Sequence, residues 1–402
     1  MTDTHLALRL LTALDAHTRA HGMPGPAALI GDWAGGDAVI APSLALAADT
    51  PIPDRPQQFW FGYHGFGIHA QRSPLPDVVG GLSDDMLVLR DDQWHYRHID
   101  DHPLPDWIAE CLSVAESFTT SATPWSASWT PPPRAPHVSA IAQCLEAIRA
   151  GEIYQACVCT QFTGRIDGSP LGFFVDLASA TTPAKAAFLQ GDWGAVASFS
   201  PELFLSRHGA RVSSSPIKGT IAASDDPASL RASVKDVAEN IMIVDLVRND
   251  LGQVAKIGSV AVEDLLSVVP APGVWHLVST VSATLDDTVG NDKLLEAAFP
   301  PASVTGTPKI RACELLSDWE SKARGVYCGA IGFAGPDLEL DLNVAIRTVQ
   351  ITPDGSATLG VGGGITIDSD PDREWQECLD KASSIMEFSR SVASPGLDTP
   401  RR

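Results

Sequence analysis

The reading of the fold turns on Leu338-Glu-Leu-Asp-Leu-Asn-Val-Ala-Ile-Arg-Thr-Val-Gln-Ile351 and on Gly362-Gly363-Gly364 shortly after it. Leu340, Leu342, Val344 and Ile346 alternate with Glu339, Asp341, Asn343 and Arg347, the period of a strand with one buried face. Gly335-Pro336-Asp337 before it and Pro353-Asp354-Gly355 after it are turn sequences. Residues 325–334, 338–351 and 357–361 therefore read as an antiparallel meander. A helix follows the glycines, with Ser369 or Asp370 as N-cap and Pro371 in its first turn. On helical spacing, Trp375, Leu379, Ala382 and Met386 form one stripe, and Glu374, Glu377 and Lys381 lie roughly opposite it. Arg347, the glycine run and these charges together suit a small anion and a divalent cation.

Composition narrows the field. The 402 residues are 44% apolar and 19% charged, as in a soluble globular protein rather than a disordered one. A net charge of −21 argues against nucleic acid or an anionic membrane as partner, since either would repel it. The seven cysteines are scattered, and Cys157-x-Cys159 is too tight for a usual zinc pair. With neither a secretory leader nor a long uncharged apolar run, the chain reads as cytoplasmic, with reduced thiols.

In order, residues 1–120 read as an amino-terminal region. Phe59–Tyr63 and Gly65–Ile68 look like buried strands, and Met86–Leu89 with Trp94–Arg97 like a hairpin around Asp91-Asp92. Residues 121–137 hold five prolines and read as a linker. The texture changes at Val138, where the main domain, 138–389, begins. Ile141, Leu145 and Ile148 mark a helix ending at Gly151, 152–162 reads as a strand, and 193–205 as a strand pair interrupted at Ser200-Pro201-Glu202. Ser215-Pro-Ile-Lys-Gly-Thr220 is turn-like and would fix the direction of Lys218. A long helix ending near Gly252 places Leu230, Val234, Val237, Ile241 and Val244 in one stripe, with Glu239 nearly opposite, one turn after Asp236. If this helix faces the one after the glycines across a cleft, Glu239 and Glu377 could share a Mg2+. Residues 390–402 read as a disordered tail.

Several stretches carry a resemblance. They are Gly151-Glu-Ile-Tyr-Gln155, Phe199-Ser-Pro-Glu-Leu203, Pro216-Ile-Lys-Gly-Thr220 and Ala238-Glu-Asn-Ile-Met-Ile-Val-Asp-Leu-Val-Arg-Asn-Asp250. To these are added His276-Leu-Val-Ser279, Val304-Thr-Gly-Thr-Pro-Lys309, Tyr327-Cys-Gly-Ala-Ile-Gly332, Ile346-Arg-Thr348, Gly362-Gly-Gly-Ile365 and Glu374-Trp-Gln-Glu377 with Lys381. As a set they resemble the chorismate-utilising enzymes, most of all their aminodeoxychorismate synthase component I branch. The resemblance implies an α+β fold like anthranilate synthase component I: two interleaved subdomains, β-sheets face to face, helices outside and the active site in the cleft. It implies chorismate and ammonia as substrates, Mg2+ as cofactor and a separate glutamine amidotransferase subunit as ammonia source. Carried over by motif, Glu239 and Glu377 would ligate the metal, with Glu374 and Asp236 directly or through water. Arg347, Lys381, Tyr327 and backbone amides near Gly363 and Gly364 would bind the ring carboxylate, with Thr305 and Gln155 also at the substrate. Glu202 would be the general acid for the departing 4-hydroxyl, which requires a raised pKa, and His276 would line the site near the reacting ring.

Two positions bear on which member this is. Gln155 stands where the isochorismate and salicylate synthases carry a water-activating lysine, and an amide cannot be that base. Lys218 stands where aminodeoxychorismate synthases have lysine and anthranilate synthases typically alanine. The resemblance thus implies a lysine adduct at ring carbon 2 and 4-amino-4-deoxychorismate as product, on the way to p-aminobenzoate and folate. From an ordinary pKa, the neutral amine costs about 4.6 kcal/mol at pH 7, so the site is expected to depress that pKa. The alternatives are anthranilate synthase component I and a non-catalytic aromatic-ligand-binding protein on the same fold. The pattern is departed from at Cys157, Lys185, Pro301-Ala302, Ser215 and Ile221.

Overall fold

A computed structural model describes residues 3–68, 71–117 and 124–392 of the chain. Residues 393–402 of the expected tail lie outside the described residues. Two antiparallel sheets carry the fold. At the centre of the first stand Gln155–Gly168, Ser356–Ile365, Thr348–Ile351, Gly194–Ser200, Lys185–Gly191 and Ala27–Trp33, in that order. The second is built around Ile217–Ala222, Val274–Thr284, Arg211–Ser215, Leu203–His208, Glu339–Val344, Ala330–Gly335 and Phe59–His64.

Strand alternation sends successive side chains to opposite faces and so gives each sheet two cores. Ala27 and Leu29 pack against Phe61, Tyr63 and Ile331 of the facing sheet. Ala28 and Ile30 pack instead with Leu8 and Leu11 of helix Asp3–Ala20 and Phe174 of helix Pro170–Thr181. On the far side, Leu205 and Val212 meet Ile243 and Val247 of helix Val234–Gly252. The order is helix, sheet, sheet, helix, the face-to-face α+β arrangement. Among the described residues no helix is long and apolar enough to cross a membrane.

The amino-terminal strands enter both sheets. Asp85–Arg90 and Gln93–His98 form a hairpin turning through Asp91 and Asp92, both left-handed at φ 51° and 59°. Gly65–Ile68, expected as strand, is loop; the Gly65 and Phe66 amides donate to Asp77 O and Gly325 O instead. Within the stretch read as a linker, Trp125–Thr130 is a strand on Gln155–Gly168 and a helix begins at Arg134. Its prolines stand before the strand, in the 131–133 connection and in the helix's first turn, where a missing N–H costs nothing. Trp125, edge-on to Phe173, is the packing signal that composition masked.

The stretch 338–351 is not one strand. Glu339–Val344 belongs to the second sheet and Thr348–Ile351 to the first, and Ala345–Arg347 crosses between them. Gly194–Ser200 and Leu203–His208 make a companion crossing at Pro201-Glu202. Backbone bonds tie the two crossings together: Val344 N–H donates to Glu202 O at 3.0 Å and Phe199 N–H to Arg347 O at 3.0 Å. The Ser200 hydroxyl adds a bond to Val344 O at 2.6 Å. Because Glu339–Val344 lies between layers, Asp341 and Asn343 are buried rather than solvated. Asp341 is neutralised by Lys185 at 2.7 Å. The Asn343 side chain accepts from Ile331 N–H and donates to Lys185 O.

The long helix also differs from expectation. It breaks at Ser233, whose hydroxyl caps Val234–Gly252 by accepting the Asp236 N–H. Val234 and Ile241 are exposed, and the buried face carries Glu239, Asn240, Ile243, Val244, Val247 and Leu251. Two polar residues on the inner face had hidden the true stripe; Asn240 is held there by Leu277 O and the Ser279 hydroxyl.

Candidate active site

A cleft of about 610 Å³ opens beside the two crossings, where the sheets part. Its floor is the glycine end of Ser356–Ile365, which pairs with Gln155–Gly168 on one edge and beyond Leu359 has no partner strand among the described residues on the other. Lys218, from Ile217–Ala222, lies against Glu239 of the capped helix, Nζ to Oε1 2.7 Å, with side chains 12% and 8% exposed. A Cβ on Gly364 would stand 1.9 Å from Glu239 Oε1 and 3.3 Å from Lys218 Nζ. One on Gly363 would stand 3.1 Å from Glu374 Oε2 and 3.7 Å from Glu377 Oε1. Glu239 therefore lies beside Gly364, and Glu374 and Glu377 lie beside Gly363, and the missing side chains are what leave them room.

Each of these carboxylates is answered by a lysine. Glu374, buried on the cleft side of helix Pro371–Val392 rather than on a solvated face, accepts from Lys235 at 2.9 Å and from the Ser369 hydroxyl at 2.7 Å. Its second oxygen is buried with no hydrogen-bond partner among the described residues. Glu377 pairs with Lys381 at 2.7 Å, and Lys381 also donates to Gly362 O at 2.7 Å. Burial works to raise the Glu377 pKa, but Lys381 and the neighbouring lysines outweigh it and hold the carboxyl below its ordinary value. Asp236 lies over Gly219, whose added Cβ would be 3.2 Å from its carboxyl carbon. The helix start is capped by Asp370, which accepts the Asp372 and Arg373 amides.

Glu202, 3% exposed, sits at the first crossing. Burial pushes its carboxyl up from 4.5 to about 7, against the pull of the Ser303 hydroxyl, Lys218, the Ile217 amide and Arg347. It is thus part protonated at neutral pH, as a proton donor must be. Arg347, at the second crossing, has φ 50° and faces the cleft. Burial draws its guanidinium below the ordinary arginine value against the attraction of Glu202, and among the described residues it makes no ion pair within 4 Å. His276, 4% exposed, shares a hydrogen bond between Nδ1 and the Thr220 hydroxyl at 2.8 Å. Burial and Arg347 lower its pKa to about 4, so the imidazole is neutral.

Lys218 departs from expectation. Burial acts to depress its pKa, but Glu239 in contact, with other groups of the cleft, outweighs this and the net shift is upward. As folded, the amine is an ammonium held by a carboxylate.

Not every expected residue reaches the cleft. Thr305 turns its hydroxyl back to Pro301 O and Ala302 O, closing its own loop. Gln155 is buried in the strand behind the floor, paired with Thr307. Tyr327 does line the cleft, but its hydroxyl lies toward Cys159 Sγ at 3.9 Å. Lys235, Thr220 and Ser303 were not singled out from the sequence, although each stands within three residues of one that was.

The comparisons agree with this architecture. The chorismate binding enzyme family matches residues 43–387. Aminodeoxychorismate synthase component 1 of Escherichia coli is 36% identical over 331 residues, covering 79% of this chain and 72% of that protein. Anthranilate synthase component 1 of Bacillus caldotenax is 37% identical over 246 residues, 60% of this chain and 48% of that protein. The crystal structure of anthranilate synthase component I from Streptococcus pneumoniae superposes with a TM-score of 0.71 at 24% identity, covering 85% of this chain and 83% of that one.

Proposed function

This chain belongs to the chorismate binding enzymes, and on that premise we propose that it converts chorismate and ammonia to 4-amino-4-deoxychorismate, as an aminodeoxychorismate synthase component I. The observation that supports this best is Lys218, an amine held inside the cleft by Glu239 at 2.7 Å and close to the Glu202 acid of pKa about 7. Arg347 and Lys381 bind the ring carboxylate. Lys218 releases its proton to water in the cleft, Glu239 beside it at 2.7 Å remaining a carboxylate, and forms a bond from Nζ to ring carbon 2. The ring double bonds shift, the C4–O bond breaks, and the hydroxyl leaves as water with the proton of Glu202. Ammonia then bonds to carbon 4, and the C2–N electron pair returns to Lys218 with a proton. The enolpyruvyl group is untouched throughout.

Among the described residues no three acidic, histidine or cysteine side chains converge into a finished metal cage. The donors are nonetheless the hard oxygens Mg2+ takes, and Glu374 Oε2, unpaired among the described residues, is a candidate ligand atom. Glu377, Glu374 and Glu239, with Asp236 through water, would hold the ion, which supplies positive charge to the substrate carboxylate. A separate glutamine amidotransferase subunit is the proposed ammonia source, and the setting is proposed as cytoplasmic, in keeping with seven free thiols.

The test omits ammonia. Protein incubated with chorismate and Mg2+ is denatured and digested, and the peptide holding Lys218 is weighed. It should carry chorismate less one water, and Lys218→Ala should carry nothing. Product formation by a protein whose Lys218 is dispensable would remove the covalent role.

A further inference from the structure

We infer that Thr220 is a positioning residue that sets the tautomer of His276, so that the imidazole presents an N–H at Nε2 to the substrate. Thr220 and His276 stand directly opposite each other in the pairing of Ile217–Ala222 with Val274–Thr284. Cross-strand partners on one face are close enough for such a bond without a long side chain, and the contact is 2.8 Å from Oγ1 to Nδ1. The Nε2 atom is buried with no hydrogen-bond partner among the described residues, on a residue that lines the cleft. A buried polar atom left unpaired costs free energy that a ligand can recover. The neutral ring has one donor and one acceptor, and the bond at one nitrogen decides what the other offers. The Thr220 hydroxyl can donate to Nδ1, which leaves the proton on Nε2, the unpaired nitrogen of a residue that lines the cleft receiving a substrate with two carboxylates. The opposite tautomer would aim a lone pair at those anions.

The assignment takes the cleft as the chorismate site, the reading above, but its first readout needs no turnover. Imidazole nitrogens are labelled with 15N and the His276 signals are identified by their loss in His276→Gln. In the free protein Nε2 should show the protonated-type shift and Nδ1 the unprotonated one. Thr220→Val should mix or reverse the two, and Thr220→Ser should restore them. In turnover, Thr220→Val should lower kcat/KM for chorismate about tenfold, the worth of one oriented hydrogen bond, with Thr220→Ser near wild type. A wild-type proton on Nδ1, or a Thr220→Val spectrum and kcat/KM equal to wild type, overturns the inference. If the protein makes another product from chorismate, the spectrum still decides the tautomer, so failure of one reading is separable from failure of the other.

Discussion

Replacing Glu202 by glutamine tests the physical basis of the proposed acid. The folded pKa of Glu202, about 7, lies above its ordinary 4.5 because burial disfavours the carboxylate. Through the interval between these values the folded chain holds a proton that the unfolded chain releases. Stability therefore falls as pH rises through that window, and the penalty is complete above pH 7. At about 1.4 kcal/mol per unit, the rise amounts to about 3 kcal/mol, of which about 2.5 kcal/mol develops between pH 5 and 8. Glutamine has nearly the same shape, keeps an oxygen for the Ile217 amide and never ionises. Urea unfolding of wild type and Glu202→Gln at pH 5, 6, 7 and 8 measures the difference, with other titrations common to both. The variant should gain on wild type by about 2.5 kcal/mol from pH 5 to 8, while losing turnover. A stability difference that stays constant across this range would show that Glu202 titrates as an ordinary carboxylate.

Gly364→Ala should fold normally, since the atoms nearest the new Cβ are the movable ends of Glu239 and Lys218. It should nonetheless lose about 100-fold in kcat by displacing the Lys218–Glu239 pair; thermal melting and turnover measured together check this, and full activity would contradict it. Glu377→Gln should weaken the Mg2+ dependence of turnover, and an unchanged Mg2+ titration would remove Glu377 from the metal site. Lys185→Met should cost about 3–5 kcal/mol by stranding the buried Asp341 carboxylate, and Lys185→Met/Asp341→Leu should recover most of it in urea unfolding. Equal stability of single and double variants would show that the pair is not coupled.

Much of the site was legible because its residues are tied to local signals: Pro201 and Gly219 flank the acid and the lysine, and the glycine run marks the floor. The crossings were not legible. Alternation from Leu340 to Ile346 continues unbroken where the chain leaves one sheet for the other, because a side-chain period carries no information about which strand will pair. Periodicity also misplaced Glu239, since it assumes that the inner face of a helix is apolar, and here Glu239 and Asn240 occupy it. The departure at Lys185 is explained by Asp341, by Asp32 O and by the Trp33 ring 4.3 Å away, partners remote in sequence. The charge state of Lys218 is illegible in the sequence for the same reason: its carboxylate partner is 21 residues off and on another element.

The most direct test of the account is the mass of the product made by the purified chain from chorismate, Mg2+ and ammonium. A product in which an amine has replaced the 4-hydroxyl and the enolpyruvyl group is retained is the predicted result. Fluorescent anthranilate with release of pyruvate would contradict it.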